Sequence, residues 1–392
     1  MRRRISISFA AVVVLAALYA QAATTKAIVG TCASGTQYAT IQAAVDAASS
    51  GSTVKVCPGV YPEQVVITKP LTLKGVANGT LNAAAIVPPG AGISQNTSRL
   101  NVYSFWPVGA QVLVQGTSGV TISNLIIDGN NNGVPANYGV DPDCGPLVTG
   151  IYYQNASGTI DQVVTRNQKV DPNCYNGFGI LVETDSGTST VTISNSSVRA
   201  YGLIGIVADF PGTNATIKGN SVAGLGLANI HFENGINMAA GATGKISSNS
   251  VVDNINPTLE SSGIIVNGSG VTVTGNAVSN NDNGIATAEF SSADKNSVTQ
   301  NIVFRSTWGI DACANKSTVQ NNVITSSDVA AVWLDGTCTS PSPSGNNNTV
   351  RSNTINEACA GVLLSPGTSG DTVVGNSFSN VVNSLESGTS CP

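Results

Sequence analysis

The chain has 392 residues, 41% of them hydrophobic and only 10% charged, with 42 glycines and eight cysteines. So few charges exclude polyelectrolyte disorder, the glycines lack the period of collagen, and 17 basic against 22 acidic residues give nucleic acid little to hold. The length allows two or three domains, or one elongated repeat.

At the N-terminus, Arg2, Arg3 and Arg4 precede an apolar run from Phe9 to Ala20, and Ala20-Gln21-Ala22 supplies the small residues of a cleavage site. The run is well short of the ~20 residues that a membrane span needs. Residues 1–22 are therefore expected to be a signal peptide. Residues 23–392 are expected to form a secreted, soluble, monomeric protein with no membrane contact after cleavage. Without the three arginines the chain has 14 basic and 22 acidic side chains, a net charge of −8. Such a surface repels nucleic acid and anionic membranes, and an acidic polysaccharide too unless basic residues cluster or a cation bridges. All eight cysteines follow the signal, which predicts disulfides. Neighbour pairing gives Cys32–Cys57, Cys144–Cys174, Cys313–Cys338 and Cys359–Cys391. With no CxxC and one histidine, His231, zinc ligation is not expected.

Further along, residues 38–50 place Ile41, Ala44, Val45 and Ala48 on one helical face. This predicts a short helix covering the open end of a coil. Three β-rich runs (STVKV, EQVVIT, LTLKGV) follow, so 36–76 reads as cap helix and first rung, pinned by Cys32–Cys57.

From 118 to 385 the chain repeats itself. Asn124, Asn167, Asn195, Asn220, Asn249, Asn276, Asn301, Asn322, Asn353 and Asn376 recur at spacings of 21 to 43 residues. Gly-Ile pairs beginning at Gly150, Gly179, Gly205, Gly235, Gly263, Gly284 and Gly309 recur with them, continued by Ala331-Val332 and Gly361-Val362. Three short strands per repeat predict a single all-β domain over 23–392, a parallel coil of about 10–12 rungs. Its apolar residues would alternate inward, and each asparagine would take left-handed geometry at a sharp bend and stack into an amide ladder.

The opening ATIQAAVDAASSGSTVKVCPGVYPEQVVITKPLTLKGV resembles the start of pectin methylesterases and other pectate-lyase-like, right-handed parallel β-helix proteins, and the NxV…GI repeat resembles the repeat of that superfamily. The likeness covers most of 36–385 and implies the fold, while the fold itself hosts lyases, hydrolases, esterases, epimerases and non-catalytic proteins. The QDT and DFIFG segments of pectin methylesterases are absent, as are the NTDG, GHG and RIK motifs of polygalacturonases. Tyr138-Gly139-Val140-Asp141-Pro142 resembles the YGxDPH motif of alginate epimerases, with Asp143 in place of its histidine.

In that superfamily the groove lies along the strand after the Gly-Ile pair. With isoleucine inward, Glu183 and Asp209 point outward on adjacent rungs, about 5 Å apart. Two carboxylates so placed would split into an acid and a base, or hold Ca²⁺ against an acidic sugar. Arg199 and His231 complete the expected catalytic set, Arg199 to bind a uronate carboxylate or act as base and His231 as general acid or base. Tyr152, Lys169, Tyr175, Tyr201, Glu233, Asn237 and Trp333 are the expected substrate contacts, with Trp333 beside Asp311 and Asp335 as a second sugar platform and Trp308 near it. The sequence thus supports a secreted carbohydrate-active protein, a polysaccharide lyase or glycoside hydrolase. The alternative is a non-catalytic extracellular module that binds glycan or serves a structural role. Convergence of Glu183, Asp209, Arg199 and His231 would favour the enzyme, and their dispersal the module.

Overall fold

The computed structural model describes residues 26–77, 84–134 apart from 102, 103 and 105, 145–227 apart from 171–173 and 175, 232–287 apart from 257 and 259, 294–336 and 345–387. The expected signal peptide lies outside the described residues. The rest coils into parallel rungs. One sheet gathers the first strand of every rung and a larger one gathers the second and third. In the later rungs those two fuse into one long bent strand, as in Ala277–Thr287, Ile302–Ala312 and Val323–Leu334.

Register follows the Gly-Ile pattern. Ile180, Ile206, Ile236, Ile264, Ile285, Ile310, Val332 and Val362 pair one with the next and face inward. All are buried, in a core that runs the length of the coil. A glycine precedes each of these except Val332, which follows Ala331, and the space is tight: a Cβ at Gly235 would lie 2.4 Å from the Val251 side chain and 2.5 Å from the Gly263 carbonyl.

The asparagine ladder forms from Asn220 to Asn376. Each Nδ2 donates to Oδ1 of the next rung's asparagine at 2.9–3.0 Å. The backbone N–H of each donates to that same oxygen. The left-handed residue, however, is the one before the ladder asparagine, such as Ser248 (φ 55°) or Gln300 (φ 58°). Asn124, Asn167 and Asn195 themselves take left-handed φ and stand outside the ladder. Asn167 and Asn195 turn outward to Asp128 and Asp161. The correction has a local cause, because an asparagine at the bend cannot also aim its amide along the interior.

At the N-terminal end a helix spans Ile41–Ala47, with Thr40 and the Glu63 carboxylate accepting its first free N–H groups. Ile41, Ala44, Val45 and Ala48 are buried as expected. The helix does not close the sheet by itself. Strands Ala27–Val29 and Thr36–Tyr38 stack beyond Thr53–Val56, so the first sheet ends in a strand. Cys32 and Cys57 form a disulfide, which fits an oxidising, extracytoplasmic location. Cys174, Cys313 and Cys359 are also disulfide-bonded. Cys144, Cys338 and Cys391, the partners expected for them, lie outside the described residues. Among the described residues no helix is long and apolar enough to cross a membrane.

Candidate functional site

Glu183 and Asp209 are direct neighbours, paired between strands Phe178–Glu183 and Ile204–Asp209. They do not face an open groove. Thr97–Ser98 runs antiparallel to Pro107–Gln115, and Asn96 fixes this strap by bonding both the N–H and the carbonyl of Ala110. Gln154 Nε2 holds the strap down at the Ser98 carbonyl, 2.7 Å away.

The strap inserts Arg99 between the two carboxylates. Its Nε donates to Glu183 Oε1 at 2.6 Å and its Nη2 to Asp209 Oδ2 at 2.6 Å, with Nη2 also against Glu183 Oε1. The Leu100 N–H and the Tyr152 hydroxyl donate to Glu183 Oε2, and the guanidinium lies over the Phe178 ring. Exposure is 7% for Arg99, 0% for Glu183 and 6% for Asp209. The cation that a close carboxylate pair demands is therefore a guanidinium from the chain itself. Burial, aided by Glu183 and opposed by Arg99, pushes the Asp209 carboxyl up to about 6. For Arg99 burial works against the charge, and Glu183 and Asp209 more than restore it.

The other expected residues disperse. Tyr152 is fully buried, its hydroxyl inside the same network, and burial followed by Glu183 raises its pKa well above the usual phenol value. Arg199 is exposed on a different strand, Ser197–Arg199, paired with Arg166 and Ala223. Tyr201 belongs to the interior. Its hydroxyl donates to Asn254 Oδ1, which continues to Asn281 as a second, shorter ladder. Lys169 is exposed. Glu233 is fully buried, and both its oxygens accept the Leu225 N–H. Burial pushes its carboxyl up to about 8 against the pull of that N–H and of Lys169, with Asp253 adding to the rise. Asn237 faces outward but is 9% exposed, and its Oδ1 has no hydrogen-bond partner. Tyr175 and His231 lie outside the described residues, as do 138–143.

Farther along the same outward face, the Trp308 and Trp333 rings stack with centroids 4.2 Å apart and planes at 22°. Both are half-buried, and Trp333 Nε1 donates to Ser365 Oγ at 2.7 Å. Asp311 pairs with Trp333 between strands, and Asp335 follows two residues after Trp333. Ligand atoms of Asp311, Cys313 and Asp335 lie within 4.8 Å of one another. The Cys313 sulfur is engaged in a disulfide, so this trio offers carboxylates without a thiolate.

Arg99 escaped the sequence reading. It is the one charged residue between Lys74 and Asp128, and that isolation was its signal.

The family model for NosD, a periplasmic copper-binding protein, matches residues 226–390. Copper prefers imidazole, thiolate or thioether. The sole histidine is outside the described residues, Met238 is sealed in the core, and the described cysteines form disulfides, so the described residues do not fit copper. A comparison with curated proteins finds no significant match. Among solved structures, the A-module of an Azotobacter vinelandii mannuronan C-5 epimerase is similar with TM-score 0.64 and 18% identity, over 90% of this chain and 95% of that one. PfbA, a surface adhesin of Streptococcus pneumoniae, gives 0.61 and 16% over 88% and 87%. A lacto-N-biosidase from Eubacterium ramulus gives 0.51 and 10% over 84% and 62%. Repeat, register and these likenesses agree on the fold: the chain is a right-handed parallel β-helix.

Proposed function

We propose that this is an extracellular glycan-binding β-helix protein that holds a polysaccharide along the outward face of its larger sheet. The observation that carries the reading is the Trp308–Trp333 stack, two half-buried indoles on that face, with Asp311 and Asp335 buried beside them. Flat aromatic rings cover the apolar faces of sugars while neighbouring polar groups bind hydroxyls. The names of the structural neighbours support a glycan ligand in kind, since they include an epimerase of mannuronan and a biosidase, and one neighbour is an adhesin. The test is binding to a glycan array before and after Trp333→Ala and Trp308→Ala, with circular dichroism to show that the coil persists. Binding that survives both substitutions overturns the reading.

A hydrolase or lyase is the second reading, and the contact of Glu183 with Asp209 is what favours it. Against it, both groups are ion-paired to Arg99 and closed to solvent, and Arg199 stands apart. Shortened or unsaturated products from a polysaccharide panel, lost in a Glu183→Ala, Asp209→Ala protein, would restore it.

A further inference from the structure

The first sheet offers a second long face, on different strands from the tryptophan pair. Its strands alternate inward and outward residues, so the neighbours of buried Val54, Leu73 and Ile217 point to solvent. Thr53, Thr72, Thr121, Thr159, Thr192 and Thr216 form one outward column, each paired with the next, and the column resumes after Lys245 with Thr272. From Thr53–Val56 to Thr372–Val374 the outward positions hold hydroxyl, amide and charged side chains. Among the described residues Val374 is the one apolar exception.

The charges of this face run against those of the chain. Beyond residue 22 the sequence has 14 basic and 22 acidic residues. The outward charged residues of this sheet are nevertheless Lys55, Lys74, Lys218, Lys245 and Arg351 against Asp161. Lys55 is half-buried and the other four cations are exposed. Arg351 donates to Gln320, while Asp161 already accepts from Ser194 and Asn195. Among the described residues the bends that lead into these strands are balanced, with Lys69, Lys295 and Lys316 against Asp185, Asp294 and Asp371. Lys316 and Asp294 pair at 3.3 Å. The cations stand at three stations. Lys55 and Lys74 are direct neighbours, and Lys218 and Lys245 lie on another adjacent pair of strands. Four strand steps separate Lys74 from Lys218 and four more separate Lys245 from Arg351, roughly 19 Å each at ordinary strand spacing.

We infer that this face binds an anionic polysaccharide, a linear glycan bearing carboxylate or sulfate groups, laid along the coil from Lys55 to Arg351. The cations meet its charges at three stations, and the hydroxyls between them exchange hydrogen bonds with sugar hydroxyls. The face has no aromatic ring on which single-stranded nucleic acid would stack, and no apolar stripe to enter a membrane. The acidic balance of the rest of the chain confines a polyanion to this strip. The site is separate from the tryptophan pair and does not depend on what that pair holds.

The experiment is biolayer interferometry of the full chain on surfaces carrying polygalacturonate, dextran sulfate or uncharged dextran. EDTA is present so that no divalent cation bridges acid to acid. The chain should bind a polyanion and pass over dextran, and the preferred polyanion tells carboxylate from sulfate. Replacing Lys55, Lys74, Lys218 and Lys245 together with glutamine should weaken that binding about tenfold, and added salt should weaken the wild type in the same way. Circular dichroism checks that the coil persists, as expected for changes on its surface. Trp308→Ala with Trp333→Ala should leave polyanion binding unchanged. Binding to neither polyanion, equal binding to dextran, binding that survives the four lysine substitutions, or its loss in the tryptophan variant overturns the inference. Equal or tighter binding of single-stranded DNA or of vesicles rich in anionic lipid does so too. The glycan array with the tryptophan variants remains the separate test of the reading above.

Discussion

Arg99 and Glu183 lie 84 residues apart in sequence, yet the guanidinium Nε donates to the carboxylate at 2.6 Å with both groups closed to solvent. The contact ties the strap around Thr97–Ser98 to the third strand of a later rung and takes in Asp209 on the next. Removing one member of such a triad strands charge in a dry place. Arg99→Ala is expected to cost about 3–5 kcal/mol, read from the urea midpoint. Arg99→Met combined with Glu183→Gln and Asp209→Asn should recover most of that loss, because no charge is then left unpaired. A single mutant as stable as the wild type would show that the strap contributes nothing at this point.

Stability should also respond to pH through the two raised carboxyls. A carboxyl whose pKa rises on folding keeps its proton in the native chain after the unfolded chain has lost it, so stability falls as pH rises between the two values. For Asp209 the window runs from 3.8 to about 6, and for Glu233 from 4.5 to about 8. Melting temperatures should therefore decline from mildly acidic to mildly alkaline conditions. Glu233→Gln should flatten the decline above about pH 6 and make it shallower between 4.5 and 6, leaving the share that belongs to Asp209. A decline untouched above that pH in Glu233→Gln would remove Glu233 from the account.

The fold was legible because its signals are local and repeated. The Gly-Ile pairs gave the register of the third strand, and Ile41, Ala44 and Val45 gave the helix face. The ladder was legible in outline but misplaced by one residue at some rungs, since Asn124, Asn167 and Asn195 match the spelling of the repeat and not its geometry. The site was harder. The adjacency of Glu183 and Asp209 follows from rung arithmetic, but their burial depends on Arg99, which belongs to no repeat and arrives from a distant strap. Tyr201 misled for a related reason, because residue type alone cannot tell an outward phenol from one capping an interior ladder.

That distinction gives a paired mutational test. Asn276 accepts from Asn249 twice and donates to both Ile246 and Asn301. Asn276→Ala should cost about 2–4 kcal/mol, the sum of several buried bonds with partners left unmatched. Asn195→Gly, which removes an exposed contact to Asp161 and keeps the left-handed backbone without strain, should cost well under about 1 kcal/mol. Similar losses at the two sites, measured by urea unfolding, would mean that the ladder adds nothing beyond an ordinary asparagine.

The N-terminal disulfide offers a further check. Cys32 and Cys57 close a loop of 25 residues between the segment after Ala27–Val29 and the end of Thr53–Val56. Replacing both with serine should remove about 2–4 kcal/mol, with new proteolytic cuts appearing first around the helix Ile41–Ala47. Cuts appearing first in the later rungs would show that the end of the coil holds without it.

Successive ladder asparagines are separated by 29, 21 or 31 residues, yet their amides meet at the same distance within 0.1 Å. The backbone of each rung thus tolerates ten residues more or fewer without noticing, provided that the length is taken up between strands. Selection can lengthen, shorten or rewrite the loops between strands one at a time while the scaffold stays in register. In such a molecule binding preference can drift quickly across relatives whose cores remain superimposable, and grafting a foreign loop between two ladder asparagines becomes a practical route to a new specificity.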